Sequence, residues 1–342
     1  MGQDGRDDRR RRPAGAAPLT PAAIRTVDYH TGGEPFRIVV DGVETPRGAT
    51  ILERRRDAAE RLDHARRLLV FEPRGHADMY GCFVVPPNDP GADLGVVFFH
   101  NAGYSTACGH GTIALVTWAL DEGIVERREG ENRIVVDVPS GRLETWARVE
   151  SGRVRSVRFR NVPSFVWATR VAAAGREVDL AFGGAFYASL EERVEPSELQ
   201  RLIQLGRELK AALEADHDIV HPAEPELRDV YGVIFWQHEA EDPLTQRNVT
   251  VFADGEVDRS PCGSGTSARL ALLDAAGRLP RGAPLHHLSI VGSEFTGRVV
   301  GVADVAGHEA VITEVEGSAY RTGTAAFVLD PDDPLGEGFL LR

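Results

Sequence analysis

Lysine is almost missing from this chain: the 342 residues hold one, Lys210. It falls in a helical segment from Ser197 to about Asp216, beside a stripe of Leu199, Leu202, Leu209 and Leu213 rather than in a glycine-rich pocket. Pyridoxal phosphate is held as a lysine Schiff base, so a lone lysine on an amphipathic helix argues against that cofactor. Cysteine is scarce too. Three cysteines make no disulfide framework, and a reducing cytoplasm is the expected compartment. No apolar run approaches the length of a membrane span, so no membrane partner is expected. The formal charge of −13 would repel a phosphate backbone and argues against nucleic acid. Residues 1–20, despite the Arg9–Arg12 run, lack the apolar core of a secretory signal and read as a disordered, solvated arm.

What is present is a duplication. Cys108-Gly109-His110-Gly111-Thr112-Ile113-Ala114 and Cys262-Gly263-Ser264-Gly265-Thr266-Ser267-Ala268 read nearly alike. Each runs into an apolar segment that stops at a glycine, Gly123 or Gly277, 15 positions beyond its cysteine. The repeat predicts two copies of one unit, each opening a helix with a thiol at a glycine-rich turn. Helix N-termini carry unpaired N–H groups and the positive end of the dipole, so they stabilise anions and lower a thiol's pKa. Ser105 or Thr106 is the expected N-cap of the first helix, and Pro261 sits where a missing N–H costs little. Neither turn is a Walker loop, because no Gly-Lys-Ser/Thr follows; a carboxylate suits both better than a nucleotide phosphate.

Strand-like segments surround each copy. Ile24–Tyr29 and Phe36–Val40, joined by a turn over His30–Pro35, precede a helical stretch from Leu52 to Leu69. Cys82–Val85 and Gly95–His100 lead into Cys108; Arg133–Val138, Leu143–Val149 and Val154–Phe159 follow it. In the second half, Ser164–Phe186, the Ser197 helix, Val230–Trp236 and Asn248–Phe252 precede Cys262. Leu288–Val291, Gly297–Val305 and Ala310–Val315 follow it. The predicted fold class is α/β of mixed α+β type. Two pseudo-symmetric lobes each form a β-sheet or barrel around a central helix, with the site in the cleft between them. The boundary falls near Pro163. An N-terminal lobe over 21–163 carries Cys108, and a C-terminal lobe over 164–324 carries Cys262. Ala325–Leu329 returns to the first half, so 325–342 completes the first lobe.

Two facing thiol helices suit proton transfer at carbon. A thiolate near its working pKa is a good base, a neutral thiol opposite is a good acid, and converging N–H donors stabilise the developing enediolate. His110 and Asp258 are placed to hydrogen-bond a substrate amine or a thiol; bracing the turn and capping the helix are their plainer roles. Cys82, inside the apolar run Met79–Val85, reads as a small buried hydrophobe. Cys108 and His110 are zinc-ligand types, but no paired Cys-x₂₋₄-Cys or His-x₃₋₅-His spacing accompanies them, and no metal is expected. The adjacent His286-His287 read as solvent-facing. No Cys-x-x-Cys motif supports redox chemistry as the main activity.

At these motifs the chain resembles the proline racemase superfamily, which includes proline racemase, 4-hydroxyproline 2-epimerase and trans-3-hydroxy-L-proline dehydratase. The resemblance spans nearly everything after the arm. Besides the two cysteine turns it rests on Asp28-Tyr29-His30-Thr31-Gly32-Gly33-Glu34-Pro35, Glu72-Pro73-Arg74-Gly75-His76, Asp258-Arg259-Ser260-Pro261 and Thr322-Gly323-Thr324-Ala325. It implies a two-lobed, diaminopimelate-epimerase-like fold, no cofactor, a small imino-acid substrate and often a homodimer. It implies that Cys108 and Cys262 are catalytic on opposite faces of the substrate's α-carbon. Gly109, His110, Gly263 and Ser264 would bind the substrate, with Asp258 on its amine. The flanks Asn101–Ser105 and Asp333–Leu341 look most like the dehydratase branch, which typically has threonine at the second catalytic position. Here that position is Cys262. The expectation is a cofactor-independent racemase or 2-epimerase of proline or hydroxyproline, with trans-3-hydroxy-L-proline dehydratase as the enzyme alternative. A non-catalytic imino-acid binder and a thiol-redox protein are the remaining classes.

Overall fold

The computed structural model describes residues 23–341. The arm expected over residues 1–20 lies outside the described residues. β1 (Ile24–Thr31) and β2 (Glu34–Asp41) form a hairpin. Its two-residue turn is Gly32-Gly33, at φ +58° and +93°, left-handed positions that only glycine takes without strain. Two helices follow, α1 (Ile51–Arg61) and α2 (Asp63–Val70), the first opened by a Thr50–Glu53 capping box. The single helix expected over Leu52–Leu69 is thus two. Leu62 leaves helical geometry at φ −115°, ψ 10°, and joins Leu68, Leu69, Phe83 and Phe99 in one apolar cluster.

β3 (Tyr80–Val85) and β4 (Leu94–His100) then lead into α3 (Gly109–Asp121). A meander follows: β5 (Gly130–Val138), β6 (Gly141–Glu150) and β7 (Arg153–Arg160). The second half begins with β8 (Ser164–Ala173), β9 (Arg176–Phe182) and β10 (Phe186–Glu191). Next come α4 (Leu199–Asp216), β11 (Val230–Glu241), β12 (Leu244–Phe252) and the short β13 (Glu256–Asp258). Then α5 (Gly263–Ala275), β14 (Leu285–Ser289), β15 (Glu294–Val305), β16 (His308–Gly317) and β17 (Ala319–Phe327) complete the order.

The halves pair alike. The antiparallel β1–β2 is matched by β9–β10, and the parallel pairs β2–β3 and β4–β5 by β10–β11 and β12–β14. The meander β5–β6–β7 is matched by β14–β15–β16. β17 lies beside β1 as β8 lies beside β9. β8 also meets β16, which closes a ring of strands around α5. In the first half β7 pairs with β16 instead, so both sets form one continuous sheet.

Each set of strands wraps one helix. α3 packs on β1, β2, β7 and β17; α5 packs on β8, β9, β15 and β16. Every α3 residue from Gly109 to Leu120 is buried, as is every α5 residue from Gly263 to Leu273. Both helices are thus enclosed on all sides, α3 mostly by apolar residues and α5 with Ser264, Thr266, Ser267 and Arg269 buried as well. Each buried leucine or isoleucine there contributes about 1.5–3 kcal/mol relative to exposure. Gly123 (φ +69°) and Gly277 (φ +64°) end the two helices in the left-handed conformation that stops a helix. No helix among the described residues is long and apolar enough to cross a membrane.

Candidate active site

Both thiols stand one residue outside their helices, at the N-cap. Cys108 is extended (φ −154°, ψ 98°), and its Sγ accepts the Gly111 N–H at 3.2 Å. The cysteine therefore takes the capping role expected of Ser105 or Thr106. Those hydroxyls lie too far back from a helix that begins at Gly109: Ser105 Oγ meets the Tyr80 hydroxyl, and Thr106 Oγ1 donates to the Gly184 carbonyl at 3.1 Å. Cys262 sits at φ +62°, ψ 102°, where a non-glycine residue carries strain of order 1–3 kcal/mol. A short ladder holds it there. Asp258 Oδ1 accepts the Ser260 N–H at 2.8 Å, and Ser260 Oγ accepts the Cys262 N–H at 3.1 Å.

The two helix ends touch. A Cβ on Gly109 would lie 2.5 Å from Gly263 Cα, and one on Gly263 would lie 2.7 Å from Gly109 Cα. The Phe159 ring covers the junction, so neither position has room for a side chain. This contact brings Cys108, Gly109, His110, Asp258, Cys262, Gly263 and Ser264 to the wall of a single pocket of about 10 Å³. Tyr80, Tyr187, Tyr231 and Phe252 supply much of the rest.

Each thiol has its own polar neighbours. Cys108 Sγ is 3.5 Å from His110 Nε2, and His110 Nδ1 is 3.8 Å from Asp258 Oδ2. On the other side the Tyr187 hydroxyl lies 2.7 Å from Ser264 Oγ and 3.8 Å from Cys262 Sγ. Burial pushes the Cys262 thiol up to about 12, and Asp258 adds to the rise. Burial also holds the Cys108 thiol well above its usual range, with the Gly111 amide pulling the other way and Asp258 and Cys262 adding to the rise. The lowering expected from a helix N-terminus is therefore present but outweighed, because desolvation disfavours the thiolate. Cys82 is fully buried in β3, away from this pocket.

Several pocket residues carry no signal in the sequence. Tyr80, Tyr187 and Tyr231 come from three separate strands or strand edges, and the Tyr80 and Tyr231 hydroxyls meet at 3.1 Å. Glu34 is fully buried at the end of the β1–β2 turn, and its Oε2 accepts the Arg259 N–H at 2.7 Å. Burial, then the charge of Asp258, pushes the Glu34 carboxyl up, while Arg259 opposes them. Its only visible mark was the Gly32-Gly33-Glu34-Pro35 turn. His287 corrects the reading of a solvent-facing pair. β14 alternates, so His286 points outward to Glu294, whereas His287 is buried with Nδ1 2.8 Å from Thr266 Oγ1. Burial pulls His287 down to about 3. No group of three or more metal-ligating side chains converges among the described residues.

Fold and pocket together define a duplicated strand-ring protein with a thiol-headed helix at the heart of each copy. The chain belongs to the proline racemase family: the family's sequence model, described as Proline racemase, matches residues 26–340. It is accordingly an enzyme of the proline and hydroxyproline isomerase–dehydratase superfamily. The chain is 43% identical to the trans-3-hydroxy-L-proline dehydratase of Bacillus cereus, covering 92% of this chain and 97% of that one. It is 46% identical to the 3-hydroxyproline 2-epimerase of Burkholderia multivorans, covering 94% and 98% respectively. The crystal structure of a hydroxyproline epimerase from Agrobacterium vitis with bound trans-4-hydroxy-L-proline superposes with a TM-score of 0.87 at 31% identity. That match covers 94% of this chain and 96% of the other, and it establishes the diaminopimelate-epimerase-like fold.

Proposed function

We propose that the protein is a 2-epimerase of 3-hydroxyproline, working by proton transfer between Cys108 and Cys262 across the α-carbon. The observation that carries this reading is the pair of N-cap thiols on abutting helix ends in one pocket. The substrate carboxylate would lie on the amides at Gly109, His110, Gly263 and Ser264, where two positive dipole ends converge. Its ammonium would face Asp258. That pairing has a second effect, because Asp258 raises both thiols and an ammonium beside it cancels part of that rise. One sulfur, as thiolate, takes the α-proton; the opposite thiol gives a proton to the other face. The enediolate between these steps is stabilised by the same amides. The chemistry calls for no cofactor. In this reading the chain divides near Pro163, each lobe bringing one thiol, and β17, paired along its length with β1, returns the chain to the first lobe.

The 3-hydroxyl is favoured because the B. cereus and B. multivorans relatives are both named for a 3-hydroxyproline substrate. A second reading, dehydration, is supported by six similar relatives named trans-3-hydroxy-L-proline dehydratase. Removal of the α-proton is common to both. Loss of the 3-hydroxyl as water would then give a cyclic imine instead of the inverted ring. Incubation of trans-3-hydroxy-L-proline in deuterated water, followed by chiral chromatography and borohydride trapping of imine, separates them. Inversion with one solvent deuteron at the α-carbon is expected. Imine as the sole product would replace epimerisation by dehydration, and no exchange with this substrate, proline or 4-hydroxyproline would overturn both.

A further inference from the structure

Outside the tyrosine wall of the thiol pocket lies a second cavity, of about 550 Å³. Tyr231 lines both spaces, and Ser105, which meets the Tyr80 hydroxyl, lines the outer one. α1 lines it through Arg55, and α4 through Lys210 and Glu214. The cavity therefore spans elements from both halves of the chain and abuts the thiol pocket at Tyr231.

Its charged groups are nearly all matched. Lys210 pairs with Glu214 at 2.7 Å, Glu226 with Arg56 at 3.5 Å, and Arg228 with Asp218 at 2.8 Å and Asp229 at 3.5 Å. Arg55 is different. Among the described residues no carboxylate lies within 4.0 Å of its guanidinium; the charge of Glu226, which is paired with Arg56, acts on it only from beyond that distance. Arg55 Nε and Nη2 donate to the Tyr104 carbonyl at 3.2 and 2.7 Å, which leaves Nη1 without a partner among the described residues. The neighbouring arginines are committed: Arg54 Nη1 donates to the Pro86 carbonyl, and Arg56 pairs with Glu226. A half-buried guanidinium that lines a cavity, anchored on a carbonyl and with one nitrogen unbonded, is a ready partner for a carboxylate.

We propose that this cavity is an antechamber in which Arg55 receives the carboxylate of the ring substrate before it passes Tyr231. Naming the ligand as an imino acid rests on the function proposed above; naming its carboxylate rests on Arg55. The inner pocket is too small to admit a ring as it stands, so entry requires part of its wall, to which Tyr80 and Tyr231 belong, to move. A zwitterion has no net charge for a long-range field to steer. A cation at the mouth instead fixes which end enters first, and the carboxylate is the end that the helix N-termini bind. In a chain of formal charge −13, such a local cation matters most for an anionic ring.

The test uses stopped-flow fluorescence of the full-length protein with pyrrole-2-carboxylate, a planar ring carboxylate without a removable α-proton. Arg55→Gln should lower the association rate constant by about tenfold and flatten its salt dependence. Arg55→Lys should restore most of the rate. For trans-3-hydroxy-L-proline, Arg55→Gln should lower kcat/KM for α-deuteration and leave kcat within about twofold, as expected of a group that acts before chemistry. Association of Arg55→Gln at the wild-type rate would overturn the antechamber, as would an equal loss in Arg55→Lys. Wild-type protein that binds the probe but deuterates no imino acid would overturn the epimerase reading and leave the antechamber standing. Wild-type protein that binds no ring carboxylate would overturn both.

Discussion

The heads of α3 and α5 begin from nearly the same seven residues and end in different surroundings. Cys108 is relaxed and extended, caps its own helix and touches His110. Cys262 is strained at positive φ, is held by Asp258 and Ser260, and faces Tyr187 and Ser264. What the copies share is the anion-binding frame: a glycine turn, free amides and a close backbone junction. What differs is the set of groups that control each proton. A reversible transfer across one carbon needs two proton carriers but does not need them to be alike.

The largest test of that comparison removes one carrier at a time. Cys108→Ser and Cys262→Ser should each lower 2-inversion by about 10²–10⁴-fold, the usual range for a general acid or base, measured by chiral chromatography. A Cys262→Ser protein that still turns trans-3-hydroxy-L-proline into imine at the wild-type rate would break the symmetry in favour of dehydration. Next in size is the shared junction. Gly109→Ala and Gly263→Ala should destabilise the fold alike, by about 1–3 kcal/mol in urea denaturation, because either methyl meets backbone across the interface. Unequal losses would show that the two helix ends are not held equally.

A smaller effect should be one-sided. Tyr187→Phe removes a hydroxyl near Cys262 and Ser264, and should cost about 1 kcal/mol, roughly a fivefold fall in kcat. Alkylation of Cys262 should change while that of Cys108 does not, as peptide mapping would show. The pH dependence is smallest near neutrality. Both thiols keep their protons in the folded state above the pH at which free thiols ionise, near 9. Stability is therefore fully present below that pH and falls as pH rises beyond it. His287 works on the acid side. Its folded value of about 3 lies below the ordinary 6.5, so stability is present above 6.5 and falls as pH drops toward 3. Thermal melts from pH 4 to 10 should show both slopes, and His287→Asn should weaken only the acid one.

Much of this was legible before the fold was known. The cysteine turns, the equal spacing to Gly123 and Gly277 and the strands around them sufficed for a duplicated architecture, because periodicity and stop signals are local. The site was legible only where it repeats. Tyr80, Tyr187 and Tyr231 lie in ordinary strand contexts, and Glu34 looks like a turn residue until Arg259 folds over it. His287 reads as solvent-facing when the strand is placed at Leu288–Val291; with the strand at Leu285–Ser289, alternation turns His287 inward. The direction of the thiol pKa shifts escapes a local reading for a related reason. A dipole is visible in a helix start, but burial is a property of everything packed around it.

Sequence alone determined that two thiol-headed helices exist, where each begins and where each stops, since capping, glycine and apolar period act within a few residues. Tertiary structure decided that the helices meet at Gly109 and Gly263, which tyrosines enclose the thiols and how strongly burial opposes their ionisation. Those depend on groups far apart in the chain, and only the packing of the two strand sets around their helices brings them within van der Waals reach.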